Sequence, residues 1–418
     1  AHDEPQRIAI RQRRVGGEIT VSYGELFDLA RRAAAVIAER APAAPLIPIF
    51  MERSIASIAV AYGVLSLGRR FAFLNPRLRL PQIEDVLERA GGPPLITDLP
   101  ALTALRPNTL PDNAFLELSL LLLHLEPVPK ARQKLLDRVA SRCGQFEAVD
   151  LSAGRSDFEF AAGTAPAAGC CLFTSGSTGA SKGVLIAADD LYHRARHEIA
   201  AFGLTEQDRI MNLLPFSFDV GLNQITSTLL AGAELVLTAS WLPRDMHSAI
   251  AEAGITGFSG VPTIWDDYLA ADYALGAGAD QHRLRYVTVS GGSLPPARFE
   301  ALRDAAPGVS VIKTYGQTET FRTTALLPAH PADKTHSVGA AFGDVQIAVV
   351  DESLAPCPPD VVGEVIHAGL GVMDGYLDGS GADKLVDLGD GIDTPRMTRA
   401  IRTGDLGTLD CDGFLHLK

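Results

Sequence analysis

One short segment combines the residue types that could hold a chain of phosphates. Residues 171–186 read CLFTSGSTGASKGVLI, with Gly176, Gly179 and Gly183 spaced around the cation Lys182 and apolar residues on both sides. Glycine lets the backbone approach a ligand without a Cβ clash, while hydroxyl groups and successive amides can bind an anion. The pattern predicts a loop that wraps a polyphosphate.

Two other interpretations of this loop agree less well with its sequence. A flexible Gly/Ser linker would rarely lie between two apolar strands with a lysine inside it. The Walker loop G-x-x-x-x-G-K-[ST] is the sharper rival, but the residues that follow Gly176 do not meet that pattern. We therefore expect a phosphate loop of a different kind.

The segment resembles the signature T-S-G-[ST]-T-G-x-P-K-G of a superfamily that includes acyl-CoA synthetases, nonribosomal peptide adenylation domains and firefly luciferases, with Ser181 in place of the proline. Three further segments match motifs of that superfamily in order: YGQTE at 315–319, GEVIHAGLGVMDGYL at 363–377 and RTGDLG at 402–407. The resemblance covers roughly residues 22–418. It implies the large N-terminal domain of an adenylate-forming enzyme, which joins a carboxylic acid to AMP and releases pyrophosphate.

The resemblance also implies which residues carry the chemistry. Glu319 is expected to bind Mg²⁺, an ion that suits a carboxylate together with phosphate oxygens. Thr178 is expected to help hold the metal or the phosphates. Thr174 and Lys182 are expected to act with Glu319 in catalysis, because the reaction brings a carboxylate to a phosphate and needs neutralisation of charge.

The nucleotide contacts are implied in the same way. Tyr315 is expected to stack on adenine at the edge of a parallel sheet, where ligands collect, and Asp405 has the two acceptor oxygens that the ribose hydroxyls require. Gly291 and Gly292 would let the backbone approach the base from the other side. The residues expected to bind ATP are Thr174, Ser175, Gly176, Ser177, Thr178, Gly179, Lys182, Gly291, Gly292, Tyr315, Gly316, Thr318, Glu319 and Asp405.

The acid pocket is expected near LPFSFDVGLNQI, residues 214–225, where amino-acid-activating relatives carry Phe-Asp. Asp219 would there pair with the ammonium of the substrate. Arg322 stands where those relatives usually have a neutral residue; a cation would suit a second carboxylate or a hydroxylated acid, and an outward, solvated arginine is equally compatible. The predicted substrate is an amino acid, with aryl, hydroxy and short acyl acids left open. The residues expected around the substrate are Asp219, Asn223, Ser259, Val289, Gly291, Thr314, Arg322 and Thr323.

The acceptor of the acyl group is expected to be a thiol, either the phosphopantetheine of a carrier protein or free CoA, and Asp219 favours the carrier protein. A small C-terminal lid domain is expected after Lys418, since the sequence stops inside a predicted strand. The rival hypothesis is a nucleotide-binding core without catalysis. Lys182, Glu319 and Asp405 argue against it, because a decayed enzyme should lose such groups first.

Composition argues against several other functions. A formal net charge of −13 does not favour broad binding to nucleic acid or to an anionic membrane, and the longest apolar run is too short to span a bilayer. The five cysteines include no C-x-x-C pair, so a cytoplasmic protein without a disulfide framework is expected. His193 and His197 lack a third ligand for zinc, and Cys170 and Cys171 are expected to be packed rather than reactive.

The elements that must position these residues are strands and helices in alternation. Ser22 and Glu25 form a capping box that predicts a helix, residues 46–50 are typical of a buried strand, and residues 54–67 predict a second helix that ends at Gly68. Further strands are predicted at 234–237, 285–289, 309–312, 345–350, 363–368 and 407–417.

Such alternation indicates an α/β fold: two parallel or mixed sheets sandwiched with helices, plus a smaller antiparallel, β-barrel-like subdomain. We expect one adenylation core over residues 1–418, with approximate subdomains at 1–185, 186–340 and 341–418.

Overall fold

Strands and helices alternate along the chain in the computed structural model. The structure describes residues 4–14, 17–110, 113–115, 117–126, 128–153, 158, 167–174, 181–275, 283–386 and 399–418. Its first elements are β1 (Ile8–Arg14), β2 (Gly17–Ser22), α1 (Tyr23–Arg40), β3 (Leu46–Phe50), α2 (Ile55–Ser66), β4 (Arg70–Phe73), α3 (Leu80–Arg89), β5 (Leu95–Thr97), α4 (Leu99–Ala104), β6 (Ser119–His124), α5 (Lys130–Ala140), β7 (Gln145–Asp150), β8 (Gly169–Thr174) and β9 (Lys182–Ala187).

The middle of the chain continues the same alternation. Its elements are α6 (Ala188–Phe202), β10 (Arg209–Asn212), α7 (Asp219–Leu230), β11 (Glu234–Leu237), α8 (Pro243–Ala253), β12 (Gly257–Gly260), α9 (Pro262–Ala270), β13 (Tyr286–Val289), α10 (Pro296–Asp304), β14 (Ser310–Tyr315), β15 (Thr324–Leu326) and β16 (Ala340–Ala341). The last part is mostly strand: β17 (Gln346–Val350), β18 (Gly363–Ala368), β19 (Gly375–Tyr376), β20 (Leu385–Val386), β21 (Ala400–Leu409) and β22 (Leu415–Leu417).

Two large sheets form the body of the described chain. One has the strand order β16-β15-β14-β13-β12-β10-β11-β1-β2, and the other has the order β19-β9-β8-β4-β3-β5-β6-β7. In the first sheet, β10, β12, β13 and β14 pair in parallel, so their carboxyl ends share one edge, which is where ligands of such sheets bind. The predicted α/β class with parallel and mixed sheets is confirmed.

Helices α1, α2 and α7 lie between the two large sheets. One buried apolar cluster joins Ile10 and Leu235 of the first sheet, Ile49 of the second, and residues of all three helices. Gly63 of α2 lies against α1, where an added Cβ would be 2.8 Å from the carbonyl oxygen of Ala30. This close approach lets the helices cover both sheet faces.

The predicted start of the first helix is confirmed. The Glu25 amide donates to Ser22 Oγ at 3.2 Å, and the Ser22 amide donates to the Glu25 carboxylate at 2.7 Å, which completes the capping box of α1. The second predicted helix corresponds to α2, with Ser54 as its N-cap. The cap at Ser22 depends on residues three positions apart, so the sequence pattern was sufficient to predict it; the cap at Ser54 was not predicted, although the helix that follows it was.

A smaller antiparallel sheet contains β17, β18, β21 and β20, with β22 paired to β21. The expectation of a smaller antiparallel unit is confirmed, but the single run predicted at 407–417 is wrong, because β21 and β22 form a hairpin. Asp410 holds the turn between them: its carboxylate accepts from the amides of Asp412 and Phe414 at 3.0 and 2.9 Å. An Asp that satisfies the amides after it favours a turn over a continuous strand.

The sheets draw on distant parts of the chain. β1 pairs with β11, so the first large sheet includes strands from both sides of the approximate boundary at 185. β19 pairs with β9, so the second includes strands from both sides of the boundary at 340. The division into 1–185, 186–340 and 341–418 stays a prediction. None of the helices in the described ranges is long and apolar enough to cross a membrane.

Candidate active site

The hairpin of β8 and β9 places Thr174 beside Lys182. The two residues are opposite each other in the antiparallel register, and Thr174 Oγ1 lies 3.5 Å from the Lys182 carbonyl oxygen. Gly183 must lack a side chain here, because an added Cβ would lie 2.9 Å from Cys171 Sγ. Of the other residues predicted to bind phosphate, Ser175, Gly176, Ser177, Thr178 and Gly179 lie outside the described residues.

Tyr376 connects the predicted lysine to the predicted metal ligand. It lies in β19, opposite Val184 of β9. Lys182 Nζ is 4.9 Å from the centre of the Tyr376 ring, and the Tyr376 hydroxyl donates to Glu319 Oε1 at 2.7 Å. Burial and the bond to Glu319 raise the pKa of Tyr376 above its ordinary value, so the phenol stays protonated. Lys182 and Glu319 therefore both contact Tyr376, the first at the ring and the second at the hydroxyl.

Glu319 lies in the turn that follows β14. Gly316 must be glycine in this turn, since an added Cβ would be 1.4 Å from the Phe321 carbonyl oxygen, and the Gln317 amide donates to Thr320 Oγ1 at 3.1 Å. In the part of the chain that the structure describes, no three His, Cys, Asp or Glu side chains are grouped to hold a metal. A lone carboxylate fits Mg²⁺, which takes its remaining ligands from phosphates and water.

Asp405 of β21 meets the carboxyl end of β14. Its Oδ2 accepts from the Tyr315 hydroxyl at 2.7 Å and from Gln317 Nε2 at 2.8 Å. Gln317 Nε2 also donates to the Thr403 carbonyl oxygen at 2.9 Å. Burial and the bond to Asp405 raise the pKa of Tyr315 above its ordinary value. The two residues predicted for adenine and ribose thus contact each other, and Gln317, which had no predicted role, donates a second hydrogen bond to Asp405.

A cavity of about 260 Å³ opens where β14 ends and α7 begins. Residues predicted for the acid and residues predicted for the nucleotide both line it. The lining residues are Phe218, Asp219, Val220, Asn223, Ser290, Gly291, Thr314, Tyr315, Gly316, Gln317, Thr318, Phe321 and Arg322.

Three residues predicted to surround the substrate are buried behind this wall instead of lining it. Ser259 Oγ accepts from Thr288 Oγ1 at 2.9 Å, and Thr323 Oγ1 donates to Thr320 Oγ1 at 3.1 Å. Val289 is 1% exposed. Gly292 follows the lining residue Gly291 in the segment after β13. A Cβ added to Gly292 would lie 3.3 Å from the side chain of Pro262, so this position is packed against Pro262.

Asp219 and Asn223 reach the cavity from two successive turns at the start of α7. Residues four positions apart share one face of a helix, which is why both side chains line the same wall. Burial raises the pKa of Asp219 to about 6, although the guanidinium of Arg194 opposes that increase. Asp219 is therefore mainly ionised at neutral pH and can receive a cationic group.

Arg322 points into the protein, so the outward orientation is not the one observed. Its side chain is 8% exposed and forms an ion pair with Glu198, whose side chain is 4% exposed. The rings of Phe202 and Phe342 flank the guanidinium, with centres 5.2 and 5.3 Å from its central carbon. Burial lowers the pKa of Arg322 to about 9, which leaves it charged at neutral pH. This cation already has a buried anionic partner.

Two charged residues of α6 had no predicted role. Arg194 and Glu198 are 6% and 3% exposed and share the buried face of α6 with Leu191 and Phe202. The guanidinium carbon of Arg194 lies 3.6 Å from the centre of the Phe321 ring. Charged residues are seldom fully buried without a partner, so their position on the apolar face of the helix was the available signal.

The histidine and the cysteines singled out in the sequence lie among ordinary structural contacts. His197 Nε2 lies 3.2 Å from Asp344 Oδ2. Cys170 and Cys171 are 0% exposed, and burial raises the pKa of Cys170 to about 12. The prediction that these two cysteines are packed in the core is confirmed.

Comparison with known proteins agrees with the resemblance seen in the motifs. The chain matches the AMP-binding enzyme family over residues 1–377. It is 27% identical over 416 residues to a dimodular nonribosomal peptide synthase of Bacillus subtilis (strain 168), a match that covers 98% of this chain but only 16% of that protein.

Solved structures show the same fold. The o-succinylbenzoate CoA synthetase of Bacillus subtilis, in complex with its acyl-adenylate intermediate, has a TM-score of 0.76 at 23% identity, over 100% of this chain and 76% of that one. The N-terminal domain of FACL13 from Mycobacterium tuberculosis, with an inhibitor bound, has a TM-score of 0.80 at 20% identity, over 99% of this chain and 96% of that one. Because the family match extends over more than half of its length, the chain belongs to the family of AMP-binding enzymes.

Proposed function

We propose that the chain activates a carboxylic acid with ATP to form an acyl-adenylate and pyrophosphate. The observation that carries this proposal is the arrangement at the carboxyl end of β14. Tyr315 is bonded there to Asp405, Glu319 is linked through Tyr376 to Lys182, and the adjoining cavity is lined by Asp219. Residues from all three sheets thus bring groups suited to a nucleotide, to phosphates and to an acid to the carboxyl end of β14.

The proposed reaction joins two anions. A carboxylate oxygen of the acid attacks the α-phosphorus of ATP, so that a new O–P bond forms while the bond to pyrophosphate breaks. Catalysis of such a step depends on neutralising charge and on positioning. Lys182 supplies a cation on the phosphate side, and Glu319 would hold Mg²⁺, which when bound neutralises phosphate oxygens. Tyr376 orients both groups.

The nucleoside is proposed to bind against Tyr315 and Asp405. The Tyr315 ring offers a flat apolar surface for adenine, and the carboxylate of Asp405 can accept from ribose hydroxyls. Gln317 holds Asp405 through a bond of 2.8 Å, which limits the freedom of that carboxylate before ATP arrives. A preorganised acceptor costs less entropy when the ligand binds.

The acid is proposed to be an amino acid. Asp219 is the anionic residue among the described residues of the cavity wall, and a partly buried carboxylate gains from a cationic partner. Asn223 and Thr314 add amide and hydroxyl groups to the same wall. The acyl group is proposed to pass to a thiol, of either a carrier protein or CoA; the likeness to a nonribosomal peptide synthase favours the carrier protein.

The test is acid-dependent exchange of labelled pyrophosphate into ATP, measured in the full-length protein over a panel of amino, aryl and fatty acids. Exchange with an amino acid is the expected result. Lys182→Met should reduce it by about 10²–10³-fold, the usual effect of losing one group that stabilises a developing charge. Lys130→Met, at an exposed lysine of α5, is the matched control. Nucleotide binding without exchange for any acid would instead support a core without catalysis.

A further inference from the structure

The cation in the cavity wall is not free to bind a substrate. Arg322 lines the cavity, yet it is paired with Glu198, which does not. Glu198 lies on α6, 124 residues earlier in the chain, and no motif includes it. The guanidinium of Arg322 therefore lies at the surface of the cavity, and the carboxylate of Glu198 that neutralises it lies outside the cavity lining.

The surroundings of the pair keep it intact. Both side chains are less than one tenth exposed, and the rings of Phe202 and Phe342 flank the guanidinium. Separating two buried opposite charges leaves each without a partner, which is strongly unfavourable. A substrate carboxylate would have to displace Glu198 to reach Arg322, and it would then leave Glu198 buried and unpaired.

The charge that remains at the cavity is negative. Asp219 and Arg322 are the charged residues of its wall, and Glu198 cancels the second. Arg194 of α6 is a further buried cation near the site, but it does not line this cavity; its guanidinium carbon lies 3.6 Å from the centre of the Phe321 ring. The cavity thus has the electrostatic character for an ammonium group attached to an uncharged side chain.

On the basis of the proposed function, we propose that Glu198 is a specificity-determining residue: it neutralises Arg322 and so restricts the pocket to amino acids that lack a second carboxylate. The specificity works by exclusion: among the described residues of the cavity wall, Asp219 carries the charge that Glu198 does not neutralise, and this carboxylate repels an acidic side chain. Removing the charge of Glu198 would expose Arg322 as a receptor for such a side chain.

The test compares binding of non-hydrolysable aminoacyl-sulfamoyl adenosines that carry serine or aspartate. The wild type should bind the serine analogue more tightly. Glu198→Gln should shift the serine-to-aspartate affinity ratio by about tenfold or more toward aspartate, the effect of one hydrogen bond to a charged group. Glu252→Gln is the matched control, since Glu252 pairs with Arg13 at an exposed position on α8, and it should leave the ratio unchanged.

A second variant covers the case in which an unpaired Arg322 prevents folding of Glu198→Gln. Glu198→Gln with Arg322→Gln removes both charges, and it should keep the wild-type preference for serine. Tighter binding of the aspartate analogue by the wild type would overturn the inference, because it would mean that Arg322 receives a carboxylate. An unchanged ratio in folded Glu198→Gln, or loss of the serine preference in the double variant, would also overturn it.

These outcomes are separable from the fate of the proposed function. Analogue binding that follows the expected ratios, without exchange for any acid, would support the role of Glu198 and refute the catalytic proposal. Exchange that proceeds with the ratios unchanged would do the reverse. Failure of both analogues to bind, with exchange still observed for an aryl or fatty acid, would overturn the inference and leave the adenylation proposal standing.

Discussion

Replacing Tyr376 by phenylalanine tests whether the site is organised as described. The change removes one oxygen and keeps the ring, so the contact between Lys182 Nζ and the ring at 4.9 Å can remain. The bond of 2.7 Å from the hydroxyl to Glu319 is lost. Tyr376 is 3% exposed, which means that water has little access to replace the missing donor. We expect Glu319 to become less well oriented.

The size of the effect follows from that single bond. A hydrogen bond to an ionised group contributes about 1.5–3 kcal/mol, which corresponds to a fall of about 10–100-fold in the rate of exchange. Because Glu319 is proposed to hold Mg²⁺, the Mg²⁺ concentration for half-maximal exchange should rise as well. The free energy of unfolding should fall by no more than about 3 kcal/mol, because the packed ring is retained and the loss is limited to this one hydrogen bond.

The assay is pyrophosphate exchange as a function of Mg²⁺ concentration, with a saturating amino acid. Tyr268→Phe is the control, because Tyr268 is also buried and its hydroxyl lies 3.3 Å from His247, on α8. Tyr376→Leu adds the loss of the ring and should be worse than Tyr376→Phe. A Tyr376→Phe enzyme with the exchange rate and the Mg²⁺ dependence of the wild type would refute a positioning role for the hydroxyl.

Three further predictions concern separate parts of the molecule. Burial raises the pKa of Asp219 to about 6 from an ordinary 3.8, so the affinity for an amino acid should fall as the pH drops through 6, and Asp219→Asn should bind weakly at every pH. A carboxyl group whose pKa is raised by folding destabilises the folded state once the pH exceeds that pKa. Asp219→Asn should therefore be more stable than the wild type by about 1–3 kcal/mol at neutral pH, as measured by urea unfolding. A less stable variant would contradict this prediction. Lys182→Met should lose exchange while it still binds the acid, as equilibrium dialysis can show, and equal loss of both would argue that Lys182 supports the fold instead. In a thiol titration of the native protein Cys411, which is exposed, should react before Cys170 and Cys171, which are buried, and early modification of either buried cysteine would show that β8 opens.

Features that depend on neighbouring residues could be predicted without a structure. The capping box of Ser22 and Glu25, the strand at Leu46–Phe50 and the apolar strands on either side of the phosphate loop all result from preferences acting over a few positions. The hairpin at Asp410 was not predicted although its signal is local. The strand-like residues of β21 and β22 follow each other closely in the sequence and resemble one strand when the Asp-containing turn between them is not recognised.

Contacts between distant residues could not be predicted in this way. Tyr376 reaches Glu319 over 57 residues, Tyr315 reaches Asp405 over 90, and Arg322 reaches Glu198 over 124. The first two pairs include residues of recognised motifs, so their roles were expected while their mutual bonds were not. Glu198 belongs to no motif, and its only sign was a charge on the apolar face of α6.

The sequence by itself determined which chemistry could be predicted for the chain, because the residue types in its motifs limit what can bind. A lysine among glycines and hydroxyls is expected to bind phosphates, the carboxylate of Glu319 a metal, and Asp219 a cation. Only the tertiary structure decided how these groups are oriented and which residues they contact. Burial and pairing set the free energy of each charge, and both depend on which helices and strands pack together. For that reason the sequence left two orientations open for Arg322. In the folded protein its side chain points inward, because it forms an ion pair with Glu198 on the distant helix α6.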